Sequence, residues 1–165
     1  METRLKLLGH PVHPMLIVYP LGLLSTAVVF DVLYLVTGNG DLATFSYWAL
    51  VGGLVGGLAA AVFGLIDWLG LPAGTRARRI GALHGGGNAI VVALFALSFI
   101  ARRESAQYLP DVLPAILGLL GAVVALVTAW LGGELVYRLR VAVDDDASLN
   151  ASSSLARDGV VDVQR

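Results

Sequence analysis

Four long stretches of this chain carry no Asp, Glu, Lys or Arg: Pro11–Phe30, Leu42–Ile66, Ile80–Ala101 and Val112–Gly133. Each has roughly 20 residues or more, and at about 1.5 Å rise per residue that is enough to cross a hydrocarbon core of about 30 Å. Apolar residues fall on every face instead of in one stripe, as suits a helix surrounded by lipid rather than the surface helix of a soluble domain. The pattern predicts an all-α, polytopic membrane protein. Its four-transmembrane-helix bundle has helices over about 11–36, 42–69, 80–101 and 112–138, with 1–143 as the membrane domain.

Composition agrees. Hydrophobic residues make up 57% of the 165 positions and charged residues 14%, whereas a soluble domain is about a quarter charged. Two prolines and two histidines at the entry to the first apolar stretch speak against a cleaved signal peptide, so that helix is read as retained. With no cysteine, the chain offers no disulfide or thiolate metal site.

Charge between the stretches sets an expected orientation. Arg4 and Lys6 precede the first helix, Arg76, Arg78 and Arg79 lie between the second and third, and Arg138 and Arg140 follow the fourth. The opposite side has Arg102 and Arg103, balanced by Asp41, Glu104 and Asp111. The positive-inside rule places both termini in the cytoplasm of a bacterial cell, with the chain in the inner membrane. Tyr34, Tyr47, Trp48 and Tyr108 would form the outer aromatic belt, and Trp68, Trp130 and Tyr137 the inner one. Residues 144–165 turn polar and read as a disordered cytoplasmic tail.

Candidate chemistry gathers at one membrane boundary. Gly9-His10-Pro11-Val12-His13-Pro14 opens the first helix and His84 lies near the start of the third, while Asp67 and Glu134 end the second and fourth. In a four-span topology all five groups share one side, and ionisable groups at membrane depth are costly unless they have a use. His10 and His13 share a face if the helix already includes His10. Asn88, one turn beyond His84, can orient its ring or bind a ligand. The arrangement of His and carboxylate along two hairpins also reads as a faint internal repeat of the parallel kind. Asp31, about 27 Å along the helix from His13, is expected to anchor to Asn39 or Arg102. Asp67 and Glu134 have a plainer reading as helix-end partners of Arg76, Arg79 or Arg138. The many glycines suit close helix packing, or less simply a slot for a flat cofactor.

The ordered set resembles the bacterial membrane proteins grouped as domain of unknown function 2231. It comprises Gly-His-Pro-x-His-Pro, Pro20, Gly22, Asp31, Gly64-Leu-Ile-Asp67, His84 with Asn88, and Trp130-Leu-Gly-Gly-Glu134-Leu-Val-Tyr137. The resemblance covers about residues 5–143. It names no activity; relatives joined to Rieske-type or cytochrome-like domains imply work beside an electron-transfer chain.

Three functions stay open. In one, His13 and His84 ligate haem b or another metal centre of membrane electron transfer, with Asn88 as a supporting cofactor-binding residue and a redox partner protein. In another, His10, His13, Asp67, His84 and Glu134 bind iron, zinc or manganese in metal or proton sensing or transport. In the third, the glycine faces drive homodimerisation or docking to a larger complex. No nucleophile elbow, zinc-protease helix or phosphate loop is present, and nothing suggests nucleic-acid binding.

Overall fold

The computed structural model describes residues 3, 5–103, 105 and 108–156. Arg4, Glu104 and the end of the tail, 157–165, lie outside the described residues. Four helical spans are long and apolar enough to cross a membrane: Val12–Thr37, Gly40–Gly70, Arg76–Ala101 and Val112–Arg138. They match the expected spans to within one turn.

The first span is α1 (Val12–Leu16) and α2 (Val18–Thr37), with Ile17 between them. Pro20 has no N–H to give the Leu16 carbonyl, which accounts for the interruption. Helix α2 ends at Gly38, whose φ of 70° is the left-handed cap that glycine adopts without strain. Helix α3 (Gly40–Gly70) starts at Asn39, whose side chain accepts from the Asp41 N–H. Helix α4 (Arg76–Ala101) starts a turn earlier than the apolar stretch, because the Thr75 hydroxyl caps the Arg78 N–H at 3.2 Å. Helix α5 (Val112–Gly133) runs into a π-helical turn at Glu134–Arg138.

Before α1 lies an element with no periodic signal. Strands β1 (Lys6–Leu7) and β2 (His10–Pro11) pair antiparallel across Leu8-Gly9. Both turn residues have positive φ, 51° and 81°, the geometry of a tight two-residue hairpin. Part of the tail lies against this hairpin: Asp144 pairs with Lys6 at 2.5 Å, and a Cβ at Gly9 would stand 2.6 Å from that of Ser154.

The most extensive packing is α2 on α3 and α4 on α5, with lesser contact between α3 and α4 and between α2 and α5. The bundle is thus two hairpins set side by side, and equivalent positions make equivalent contacts. Asp31 and Arg102 are 71 positions apart, and the same spacing relates His13 to His84, Leu24 to Phe95 and Ala27 to Ser98. On the partner helices a second constant spacing relates Ser46 to Pro114, Gly53 to Gly121, Ala60 to Thr128 and Gly64 to Gly132. A Cβ on Gly53 would strike Leu24, and one on Gly121 would strike Phe95. The Ser46 hydroxyl donates to the Ala27 carbonyl, and Ser98 to that of Pro114. The repeat is therefore a property of the packing. Asp67 and Glu134, expected at matching places, are one residue out of step with it.

Burial is uneven along the bundle. The core of Leu24, Ala27, Ala49, Leu50, Val91 and Phe95 sits toward the end away from the termini. There Arg102, fully buried, makes a two-pronged ion pair with Asp31 at 2.8 and 2.9 Å and also reaches the hydroxyls of Ser46 and Ser98. Of Asp31's two expected partners, Arg102 is the one it takes. In α2 no residue before Leu24 is buried, and in α3 none after Ala60. At the end that carries the termini the buried positions are Leu71, Gly81 and Thr128 instead.

Candidate functional site

The end that carries the termini holds the histidines. Pro11 caps α1 in extended geometry, so the helix begins at Val12 and leaves His10 outside it, in β2. The shared helical face expected for His10 and His13 does not form; the His10 ring lies 3.2 Å from the Leu8 carbonyl instead. His13 turns inward toward α3, and its Nδ1 donates to the Ala60 carbonyl at 2.8 Å. His84 on α4 does the same toward α5, donating from Nδ1 to the Thr128 carbonyl at 2.8 Å. A carbonyl only accepts, so each ring carries a hydrogen on Nδ1, and in the neutral ring Nε2 is then the acceptor and ligand atom.

Glycine makes these bonds possible. The accepting carbonyl is followed four residues later by Gly64 in α3 and by Gly132 in α5. A Cβ at Gly64 would lie 2.8 Å from His13 Cε1, and one at Gly132 would lie 3.2 Å from His84 Cε1. Each imidazole therefore occupies the place of a missing side chain. The two rings meet edge to face with centroids 6.5 Å apart, one from each hairpin.

Asn88 closes over one of them. Its amide nitrogen is 3.2 Å from His84 Nε2 and 2.9 Å from the His84 carbonyl, while its amide oxygen accepts from the Thr128 hydroxyl at 3.1 Å. The carboxylates lie apart from the pair. Glu134 pairs with Arg76 at 2.6 Å, one of the helix-end partners foreseen for it. Asp67 has one oxygen shielded from solvent and is engaged within the protein. Among the described residues no three His, Asp or Glu groups converge to hold an ion. The structure thus brings together His13, His84 and Asn88, and not the five-residue set of His10, His13, Asp67, His84 and Glu134.

Arg76 is about half exposed, and exposed ion pairs contribute about 0–1 kcal/mol. Glu134→Gln is expected to leave the thermal midpoint of the detergent-solubilised protein almost unchanged; a drop as large as that of a core substitution would contradict this peripheral placement.

Sequence reasoning missed the two backbone carbonyls and the role of Thr128. The signal that marks them is the recurrence of glycine at Gly64 and Gly132 at the spacing that also relates Gly53 to Gly121.

The family described as predicted membrane protein (DUF2231) matches residues 9–145. The chain belongs to this family. The match spans the four helices, both histidine positions and the Asp31–Arg102 pair, in agreement with the resemblance carried by the sequence motifs. No curated protein and no solved structure matches the chain. The protein is an integral membrane protein of four helices, and its site must be read from its own geometry.

Proposed function

We propose that His13 and His84 would together hold a metal centre, with haem b as the group that suits them best, and that the protein works in membrane electron transfer. One observation carries this reading: the two rings meet edge to face with centroids 6.5 Å apart, each fixed through Nδ1 by a carbonyl of its own hairpin. Imidazole nitrogens sit about 2.0–2.1 Å from a bound metal and a ring centre about 1 Å further, so two imidazoles on one ion have centres about 6 Å apart. An Nδ1–H bond to a carbonyl is the usual outer support for an Nε2 ligand. A haem supplies four ligands of its own and asks two from the protein, which fits a site where two histidines converge and the carboxylates do not.

In this reading the histidine end faces the cytoplasm of a bacterial inner membrane, and a redox partner docks there. Arg102 supports the orientation, because its charge is neutralised inside the bundle by Asp31 and does not count as a loop charge. When bound, the haem would carry the electron. The chain's own residues hold the rings through their Nδ1 hydrogen bonds and close the far half with the Asp31–Arg102 pair.

The test is an absorption spectrum of protein purified from haem-supplied cells. A Soret band is expected in the wild type and in His10→Ala, with its loss in His13→Ala and its weakening or shift in His84→Ala. Wild-type protein without a Soret band overturns the haem assignment, and elemental analysis of the same samples then decides for or against a divalent ion on the same pair.

A further inference from the structure

His13 and His84 occupy equivalent positions in the two hairpins, yet their surroundings differ at two places. Where the second hairpin has Asn88, the first has Ile17; where the second has Thr128, the first has Ala60. Among the described residues His13 makes its hydrogen bond through Nδ1, and no side chain bonds its Nε2. His84 is bonded on both nitrogens.

We propose that Asn88 is a latch on His84: its amide, oriented by Thr128, occupies the Nε2 lone pair and makes the two histidines unequal, with His13 open to a metal centre and His84 available only when the amide moves. The inference rests on the metal-centre reading and adds how that site is regulated.

Three contacts fix the amide in this sense. The His84 carbonyl accepts only, so the group 2.9 Å from it is the NH2 end. The Thr128 hydroxyl lies 3.1 Å from the opposite end and shares its one hydrogen between that oxygen and the Ala125 carbonyl at 3.0 Å. The second amide hydrogen is left for Nε2 at 3.2 Å, which accepts it while Nδ1 donates to the Thr128 carbonyl. A flipped amide would turn its oxygen toward the His84 carbonyl and the Nε2 lone pair, facing acceptors with an acceptor. Opening the latch consequently needs Asn88 to change rotamer or a ligand that outbids one amide donor. In the latched state a metal centre on this pair has one histidine ligand; in the open state it has two. Asn88 is a positioning residue, acting on the ligand through His84.

The test reads each histidine separately and does not depend on a bound metal. Diethyl pyrocarbonate acylates unprotonated imidazole nitrogen, and peptide mass spectrometry resolves His13 from His84. Wild-type His84 is expected to react about tenfold more slowly than His13, the factor that one retained hydrogen bond supplies. Asn88→Leu should bring His84 to the rate of His13, and Thr128→Val should do so in part, while the His13 rate stays constant and reports that the bundle is intact. Equal rates in the wild type, or a His84 rate unmoved by Asn88→Leu, overturn the latch. Haem-loaded protein gives the second readout: Asn88→Leu should raise the six-coordinate, low-spin fraction. If no variant takes up haem, the metal-centre reading fails while the acylation rates still decide the latch.

Discussion

Replacing Arg102 with Met is expected to cost about 3–5 kcal/mol of stability, the usual effect of leaving one member of a buried ion pair without the other. Arg102 has no exposed surface, and it lies with Asp31 where α2, α3 and α4 meet. Its removal strands a carboxylate beside the hydroxyls of Ser46 and Ser98 and far from water. Asp31→Leu should be as damaging for the mirror reason. The double variant Asp31→Leu/Arg102→Met is expected to recover most of the loss, since replacing both partners with apolar groups removes the stranded charge. Thermal unfolding of the detergent-solubilised protein, followed by size-exclusion retention, checks all three. Single variants as stable as the wild type would show that the pair is not closed off from solvent.

The second large effect is expected at Gly53. An added Cβ there would stand 2.5 Å from Leu24 Cδ2 and 3.2 Å from the Leu24 backbone nitrogen. The side chain can rotate away, but the backbone cannot, so Gly53→Val forces α2 and α3 apart where they pack most closely. Overpacking of this kind costs about 1–3 kcal/mol, and a valine at backbone contact belongs at the upper end. Gly22 and Gly85 provide the contrast, because nothing lies within 4 Å of a Cβ at either position. Gly22→Ala and Gly85→Ala should be neutral or stabilising by up to about 1 kcal/mol, the helix-propensity gain alone. The same unfolding assay separates these outcomes, and a Gly85→Ala variant as damaged as Gly53→Val would refute the packing account.

Much of this was written in the pattern of residues. Four spans were legible because lipid asks for apolar residues all round a helix and for about 20 of them in a row. The partnership of Asp31 with Arg102 was one of two choices left by charge. Glu134 with Arg76 was likewise among the plain alternatives. Other features were hidden for physical reasons. The hairpin at Lys6–Pro11 depends on two residues with positive φ, one of them Leu8, and has too few residues for any periodicity. The separation of His10 from His13 turns on where α1 begins, and helix boundaries are where pattern is least informative. The bonds from His13 to Ala60 and from His84 to Thr128 end on backbone carbonyls, which every residue carries alike. Only the glycines one turn further on betray them.

The uneven burial of the bundle has a mechanical consequence. The ion pair of Asp31 and Arg102 pins the two hairpins together at one end, and the histidines sit 18 residues away along their helices, about 27 Å at 1.5 Å per residue. On a lever of that length, a relative tilt of only about 2° widens the gap between the rings by about 1 Å. The lock at the far end thus sets the tolerance of the histidine gap, and an adjustment too small to disturb the tight core can open or close it.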